Sequence, residues 1–188
     1  MERVLLFHTG FQKIEAPDIR RGRANADFGQ GFYLSGDGEF SRRWARARRG
    51  ETTWLNVYEL RTAGLRIKRF QRDAEWFDYI YHNRAGLADA LAEFDVIVGP
   101  IANDTIYDTF GISTSGLLTP AQAIRLLLIG PVYEQTAIKT ERAARQLRFV
   151  DARVLSEAEI AGYRKTVQQE QEAYQKAFAA EMARLLET

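Results

Sequence analysis

The chain has 188 residues, of which 46% are hydrophobic and 27% are charged, a composition typical of a globular domain with its own core. It has no cysteine and only two histidines, which excludes disulfide frameworks and thiolate metal sites and argues against a histidine-rich metal site. Within a net charge of +1, residues 1–70 carry 14 basic and 8 acidic side chains, compatible with an anionic ligand or with scattered surface arginines.

Short apolar runs bounded by glycine, proline or polar residues predict six β-strands. The first strand ends at His8 and is followed by a Thr9-Gly10 turn. The second contains Gly29 and Gly31, and a glycine inside a strand marks a bulge or a close approach to the backbone. The predicted strands cover residues 3–8, 28–35, 53–60, 94–100, 136–138 and 148–155.

Helical periodicity and capping signals predict the helices. Residues 39–49 place Phe40 and Trp44 on one helical stripe and the arginines at positions 42, 46 and 49 on another. Ser156 and Glu159 form a capping box at the start of a long final helix. The predicted helices cover residues 39–49, 73–83, 105–110, 119–128, 141–147 and 157–186. Because the strands do not alternate regularly with the helices, the predicted fold class is α+β.

The predicted organisation is one domain over residues 1–155, with residues 156–188 appended to it as the final helix. The apolar residues of that helix follow a near-heptad stripe, which either packs on the domain or docks a neutralising protein or a second copy. Residues 1–7 lack the long apolar stretch of a signal peptide, and no run approaches a membrane span. The expected location is therefore the cytoplasm.

Three positions are candidates for ligand contacts on their residue types alone. His8 ends a buried strand, where its imidazole either bonds a ligand or has a structural role. Tyr33 offers a ring for stacking and a hydroxyl group, or simply half-buried packing. Of Glu134 and Gln135, only one can face a cleft, because adjacent strand residues point to opposite sides.

Two further sets of polar residues have a functional and a structural interpretation. Asn103 and Asp104 either cap a helix or place the Asp104 carboxyl in a cleft as an acid or an acceptor contact. Arg84 and the arginines of residues 39–49 either meet a pyrophosphate or a nucleic acid, or form a solvated surface.

The order of several short motifs resembles the ADP-ribosyltransferase superfamily, and more narrowly a bacterial family of unassigned function within it. The resemblance covers roughly residues 4–150, and its most specific parts are the two glycine-containing motifs. The matching residues are LLFHTG at 5–10, DFGQGFY at 27–33, Trp44-Ala45, Asn83-Arg84, GPIAND at 99–104 and Gln135.

The resemblance implies a split antiparallel β core and a cleft that holds NAD, the substrate, without a metal. Members of the superfamily hold NAD with a His-Tyr-Glu signature, which corresponds here to His8, Tyr33 and Gln135. The histidine bonds the adenosine ribose, the tyrosine stacks on nicotinamide, and the third residue bonds the nicotinamide ribose. The remaining NAD contacts expected from the resemblance involve Thr9, Gly10, Gly31, Phe32 and Arg84, and the remaining catalytic candidate is Asp104.

The implied activity is transfer of ADP-ribose from NAD to a protein or nucleic acid by a bacterial toxin or defence effector. Two departures from the signature bear on it: Thr9 intervenes between His8 and Gly10, and Gln135 stands where the superfamily has glutamate. Glutamine can bond a ribose hydroxyl but cannot act as a general base. The alternatives are therefore an NAD glycohydrolase and a non-catalytic nucleotide-binding module. A glutamate restored at position 135 is expected to be at least as active in NAD cleavage.

Overall fold

The computed structural model describes residues 2–102, 119, 122, 125–126 and 128–187. Strands and helices in this part of the chain follow one another without regular alternation, so the fold is α+β, as predicted. The strands are β1 (Arg3–Gly10), β2 (Phe32–Leu34), β3 (Trp54–Arg61), β4 (Ile67–Arg69), β5 (Val96–Pro100), β6 (Glu134–Ile138) and β7 (Leu147–Val154). The helices are α1 (Gly38–Arg42), α2 (Ala74–Arg84), α3 (Glu141–Gln146) and α4 (Glu157–Leu186), with a 3₁₀ turn at Ile19–Arg21.

The strands form two sheets. The first sheet is antiparallel and has the order β1-β3-β7, and the second has the order β2-β6-β5-β4. Within the second sheet, β4 and β5 are parallel and the other pairs are antiparallel. Among the described residues, one bridge joins the sheets. In it, the Phe7 and Ser35 amides donate to each other's carbonyl oxygens at 2.8 and 2.9 Å. Sequence analysis missed β4 because three residues, two of them basic, show no alternation.

Both faces of the second sheet are buried, and β5 shows this residue by residue. Val96 and Val98 point into the core between the two sheets, whereas Ile97 points into a second core under α2. A strand that is buried on both faces reads as a continuous apolar run, which explains why β5 was predicted from its sequence. The second core consists mainly of aromatic rings, including Phe28, Phe70, Trp76 and Tyr79.

The helix predicted over residues 39–49 is wrong in length, because α1 ends at Arg42. Beyond it, the Arg46 guanidinium donates to the carbonyls of Arg43 and Ala45 at 3.0 Å each. These carbonyls are therefore engaged by a side chain instead of by a further helical turn. The three arginines predicted to share a helix face lie on a short helix and the irregular segment after it.

The glycines of the DFGQGFY motif are required by contacts within the protein. Gly29 has a positive φ of 75°, and a Cβ there would lie 3.0 Å from Lys139 Nζ and from the Asp89 carboxylate. At Gly31, a Cβ would lie 2.7 Å from the carbonyl oxygen of Ile138 on β6. The close approach that the glycines signalled is thus made by β6 and by the buried ion pair that follows it.

The long helix α4 begins at the predicted Ser156–Glu159 capping box. Its stripe of partly buried residues packs on the domain, which was one of the two expectations for it. Ile160 joins a core cluster beside β3, and Leu185 packs on Leu126. Between these points, the Glu170 carboxylate pairs with Arg43.

The helix predicted over residues 105–110 lies outside the described residues, as does most of the one predicted over residues 119–128. In the ranges that the structure describes, no helix combines the length and the apolar character needed to cross a membrane.

Gly31→Ala should destabilise the fold, because its methyl group would overlap the Ile138 carbonyl. We expect a loss of about 1–3 kcal/mol in the free energy of unfolding, measured by urea denaturation. Gly36→Ala is the matched control, since a Cβ there meets nothing within 4 Å. Equal unfolding midpoints for the two variants would contradict the packing of β2 against β6.

Candidate functional site

A cavity of about 680 Å³ lies beside the bridge that joins the two sheets. Its walls come from the end of β1, from β2, from Gln135 on β6, and from α1. Loop residues around Asp27 and Ala102 close the remaining side. The volume falls within the range of roughly 300–1,000 Å³ that is usual for small-molecule sites.

His8 lines this cavity with a defined tautomer. Its Nδ1 lies 2.8 Å from the Tyr33 carbonyl oxygen, and because a carbonyl only accepts, Nδ1 carries the proton. Burial lowers the pKa of His8, an effect opposed by the smaller influence of the Tyr33 hydrogen bond. The neutral imidazole therefore keeps Nε2 as a lone-pair acceptor. Gly10 leaves room for it, since a Cβ at that position would lie 3.1 Å from Nε2.

Tyr33 lines the cavity too, but its hydroxyl group is already used. It donates to the Gly29 carbonyl at 2.7 Å and accepts from the Phe28 amide at 2.9 Å. Burial raises the pKa of this hydroxyl above its ordinary value. The hydroxyl therefore anchors the DFG segment, and the part of Tyr33 that remains for a ligand is its ring.

Asp27 is the charged centre of the site and is 9% exposed. One carboxylate oxygen accepts from Arg84 Nε at 2.7 Å, and the second Arg84 nitrogen lies 2.6 Å from it. The other oxygen accepts from Gln135 Nε2 at 2.7 Å and from the Ala102 amide at 3.2 Å. A carboxylate offers about four acceptor positions, so these contacts occupy nearly all of them. Asn83 holds the Asp27 backbone, because its amide nitrogen donates to the Asp27 carbonyl.

The Asp27 contact also fixes which way the Gln135 amide points. Because a carboxylate only accepts, Gln135 must present Nε2 to Asp27, and Oε1 is left as the end available to a ligand. Glu134 faces a separate cavity of about 150 Å³ on the other side of the sheet. Of the two neighbours on β6, Gln135 is therefore the one in the cleft.

The structure brings together most, but not all, of the residues predicted for the site. Five of the predicted residues line the cavity, namely His8, Thr9, Tyr33, Arg84 and Gln135. Three others do not line it, namely Gly10, Gly31 and Phe32. Phe32 is 8% exposed and belongs to the core between the sheets. Asn103 and Asp104 lie outside the described residues.

Sequence reasoning missed Asp27, Arg23 and Trp44 as members of the cleft. A signal for Asp27 was present, because an aspartate next to an apolar residue and glycine needs a cationic partner if the segment is buried. Arg84, which the sequence predicts to meet a pyrophosphate or a nucleic acid, is that partner. Trp44 had been placed on a helix stripe, but it is 53% exposed.

Comparison with known families gives one match. The model of a family described as "Protein of unknown function (DUF3990)" matches residues 4–149. The chain belongs to this family. The matched region contains Asp27 and every residue that contacts its side chain, whereas α4 lies beyond it. Neither the curated proteins nor the solved structures yield a match.

The described part of the cleft offers few groups for a metal ion. In the described part of the chain, no cluster of three or more histidine, aspartate or glutamate side chains could hold one. Asp27 is the only acidic residue among the described residues that line the cavity.

Because burial lowers the pKa of His8, the free energy of unfolding should depend on pH. The folded protein protonates this imidazole less readily than the unfolded chain, in which histidine titrates near about pH 6.5. The free energy of unfolding should therefore fall as the pH drops through roughly 6.5, and His8→Gln should flatten that fall. His82→Gln, which removes an exposed imidazole, is the control. Denaturation curves that keep the wild-type slope without His8 would contradict a buried neutral imidazole.

The contact with Asp27 predicts a stability cost for a glutamate at position 135. In Gln135→Glu, the Asp27 carboxylate faces a second carboxyl group in place of the Gln135 amide donor. At neutral pH we expect a loss of about 1–3 kcal/mol in the free energy of unfolding, because Asp27 loses a donor and gains a like charge.

Urea denaturation at pH 7 measures this effect, with Glu134→Gln on the opposite face of the sheet as the control. Combining Asp27→Asn with Gln135→Glu moves the charge across the hydrogen bond and should recover part of the stability. A Gln135→Glu protein as stable as the wild type at pH 7 would refute the pairing.

Proposed function

We propose that this chain is an NAD-dependent ADP-ribosyltransferase with the split β core of that superfamily. The observation that carries the proposal is the convergence of His8, Tyr33 and Gln135 on one cavity, although they are distant in sequence. The two sheets joined by a single bridge beside that cavity are compatible with a split core. A role as a bacterial toxin or defence effector, restrained by a neutralising protein, rests on the same resemblance.

The groups left unused in the cavity suit the parts of NAD. The Nε2 atom of His8 can accept from a hydroxyl of the adenosine ribose, and the Tyr33 ring offers a face for nicotinamide. Thr9 lines the cavity, with its hydroxyl 3.1 Å from that of Ser41. Arg23 lines the cavity without an ion pair among the described residues and can meet the pyrophosphate.

In the proposed reaction, the bond between the nicotinamide nitrogen and the ribose C1′ breaks, and nicotinamide leaves with the electron pair. The acceptor nucleophile then bonds C1′ and releases a proton. The Oε1 atom of Gln135 can accept from a ribose hydroxyl and orient the sugar, while Asp27 holds the amide in place. Since the Asp27 oxygens are occupied, this arrangement favours a dissociative step that needs little help from a base.

The same occupancy is the observation behind the second candidate, a nucleotide-binding module without turnover. A neutral amide at position 135 and a carboxylate saturated by donors can bind a ribose without deprotonating an acceptor. An NAD glycohydrolase is the intermediate case, in which water takes the place of the macromolecule.

Labelled NAD incubated with the protein and cell lysate tests the proposal. Label that resists washing and is released by protease or nuclease digestion supports transfer, free ADP-ribose alone indicates a glycohydrolase, and intact NAD indicates a binding module. Gln135→Ala should abolish nicotinamide release while the chain stays folded, because the ribose contact is lost. Glu134→Ala is the matched control and should keep wild-type activity, since it faces away from the cleft. The opposite pattern would refute the site.

A further inference from the structure

One side of the cleft mouth carries an exposed tryptophan next to a run of arginines. Trp44 lines the cavity, is 53% exposed, and is held edge-to-face against Phe40, with ring centroids 6.3 Å apart. The residues after it, 46–49, are all exposed, and three of the four are arginines. We call Trp44 and this segment the mouth surface. A flat aromatic ring beside cationic side chains is the combination that binds single-stranded nucleic acids.

The charge of this surface is only partly neutralised within the described part of the chain. Arg48 is paired with Glu51, but Arg46 and Arg49 have no carboxylate partner there. Arg23, on the loop side of the same cavity, has no ion pair among the described residues. Arg23 and Arg49 can therefore take up phosphates. Arg46 can do so through its nitrogens other than Nη1, which donates to two backbone carbonyls.

Nearby carboxylates are already engaged, which bears on the kind of partner. Glu39 pairs with Arg42, and Glu170 pairs with Arg43. A partner at the mouth surface therefore meets uncompensated positive charge and one aromatic ring, and a phosphate backbone with bases supplies the matching groups.

We propose that the mouth surface binds single-stranded nucleic acid, with a base stacked on Trp44 and phosphates on Arg46 and Arg49. A single strand fits better than a duplex, because a base can reach the indole ring only when it is not stacked within a helix. The position at the mouth makes nucleic acid the acceptor class for ADP-ribose; that part rests on the proposed function, whereas the binding does not.

Binding is measured without NAD, by fluorescence anisotropy of labelled dT and U oligonucleotides of about 12 nucleotides and of a duplex of the same length. We expect single strands to bind more tightly than the duplex. Trp44→Ala should weaken binding roughly 5- to 100-fold, while Trp44→Phe should keep most of it because a ring remains. Unfolding midpoints of both variants report whether the fold is intact.

The arginines are tested through the salt dependence of binding. Replacing Arg46 and Arg49 by alanine should reduce the slope of log K against log salt by about 1.4, since each phosphate contact on a single strand contributes about 0.7. Arg61→Ala is the control, because Arg61 is exposed at the end of β3 away from the cleft. A wild-type protein that binds no oligonucleotide, binds duplex equally well, or binds unchanged after Trp44→Ala would overturn the inference.

The proposed function is judged separately, with labelled NAD added to the same oligonucleotides. Oligonucleotide binding that depends on Trp44, without nicotinamide release, would support the mouth surface and contradict the transferase. Nicotinamide release by a protein that binds no oligonucleotide would support NAD cleavage and overturn the mouth surface.

Discussion

The site depends on the burial of one carboxylate. Taking an ionised aspartate out of water costs several kcal/mol unless donors replace its hydration. Asp27 obtains those donors from Arg84 at the end of α2, from the Ala102 amide just after β5, and from Gln135 on β6. These elements lie far apart in the chain, so the cleft wall can form only when the second sheet and α2 have come together. Asn83 strengthens the arrangement by holding the Asp27 backbone from the same helix.

A second buried aspartate, Asp95, lies at the opposite end of β5 and is also held by several donors. The Arg142 guanidinium and the Thr140 hydroxyl hold the pKa of Asp95 at about 2, and the Arg66 amide adds a third donor. Asp95 ties β5 to the segment before β4 and to the start of α3. Contacts to a buried aspartate thus hold β5 near both of its ends. Asp27 lines the cavity, whereas Asp95 is not among the lining residues. Asp95 is therefore a structural anchor, and Asp27 is an anchor that also serves the site.

Signals local in sequence predicted most of the helices and strands, and side-chain contacts account for what they left out. The capping box of α4 and the apolar run of β5 depend on neighbours in sequence, so both were predictable. The end of α1 depends on the Arg46 side chain folding back on backbone carbonyls, which no periodicity records. The resemblance predicted His8, Tyr33 and Gln135, but the orientation of the Gln135 amide follows only from its partner Asp27.

The Tyr33 hydroxyl is hydrogen-bonded within the protein, which affects how the cleft can bind a ligand. Because that hydroxyl, the Nδ1 atom of His8 and the Gln135 amino group are all bonded within the protein, the cleft is preorganised before anything enters it. Its remaining polar contacts from His8 and Gln135 are acceptors, Nε2 and Oε1. Selectivity at these two points therefore favours molecules rich in hydroxyl groups, such as sugars. Because these three side chains are already held in place, ordering them on binding costs little side-chain entropy.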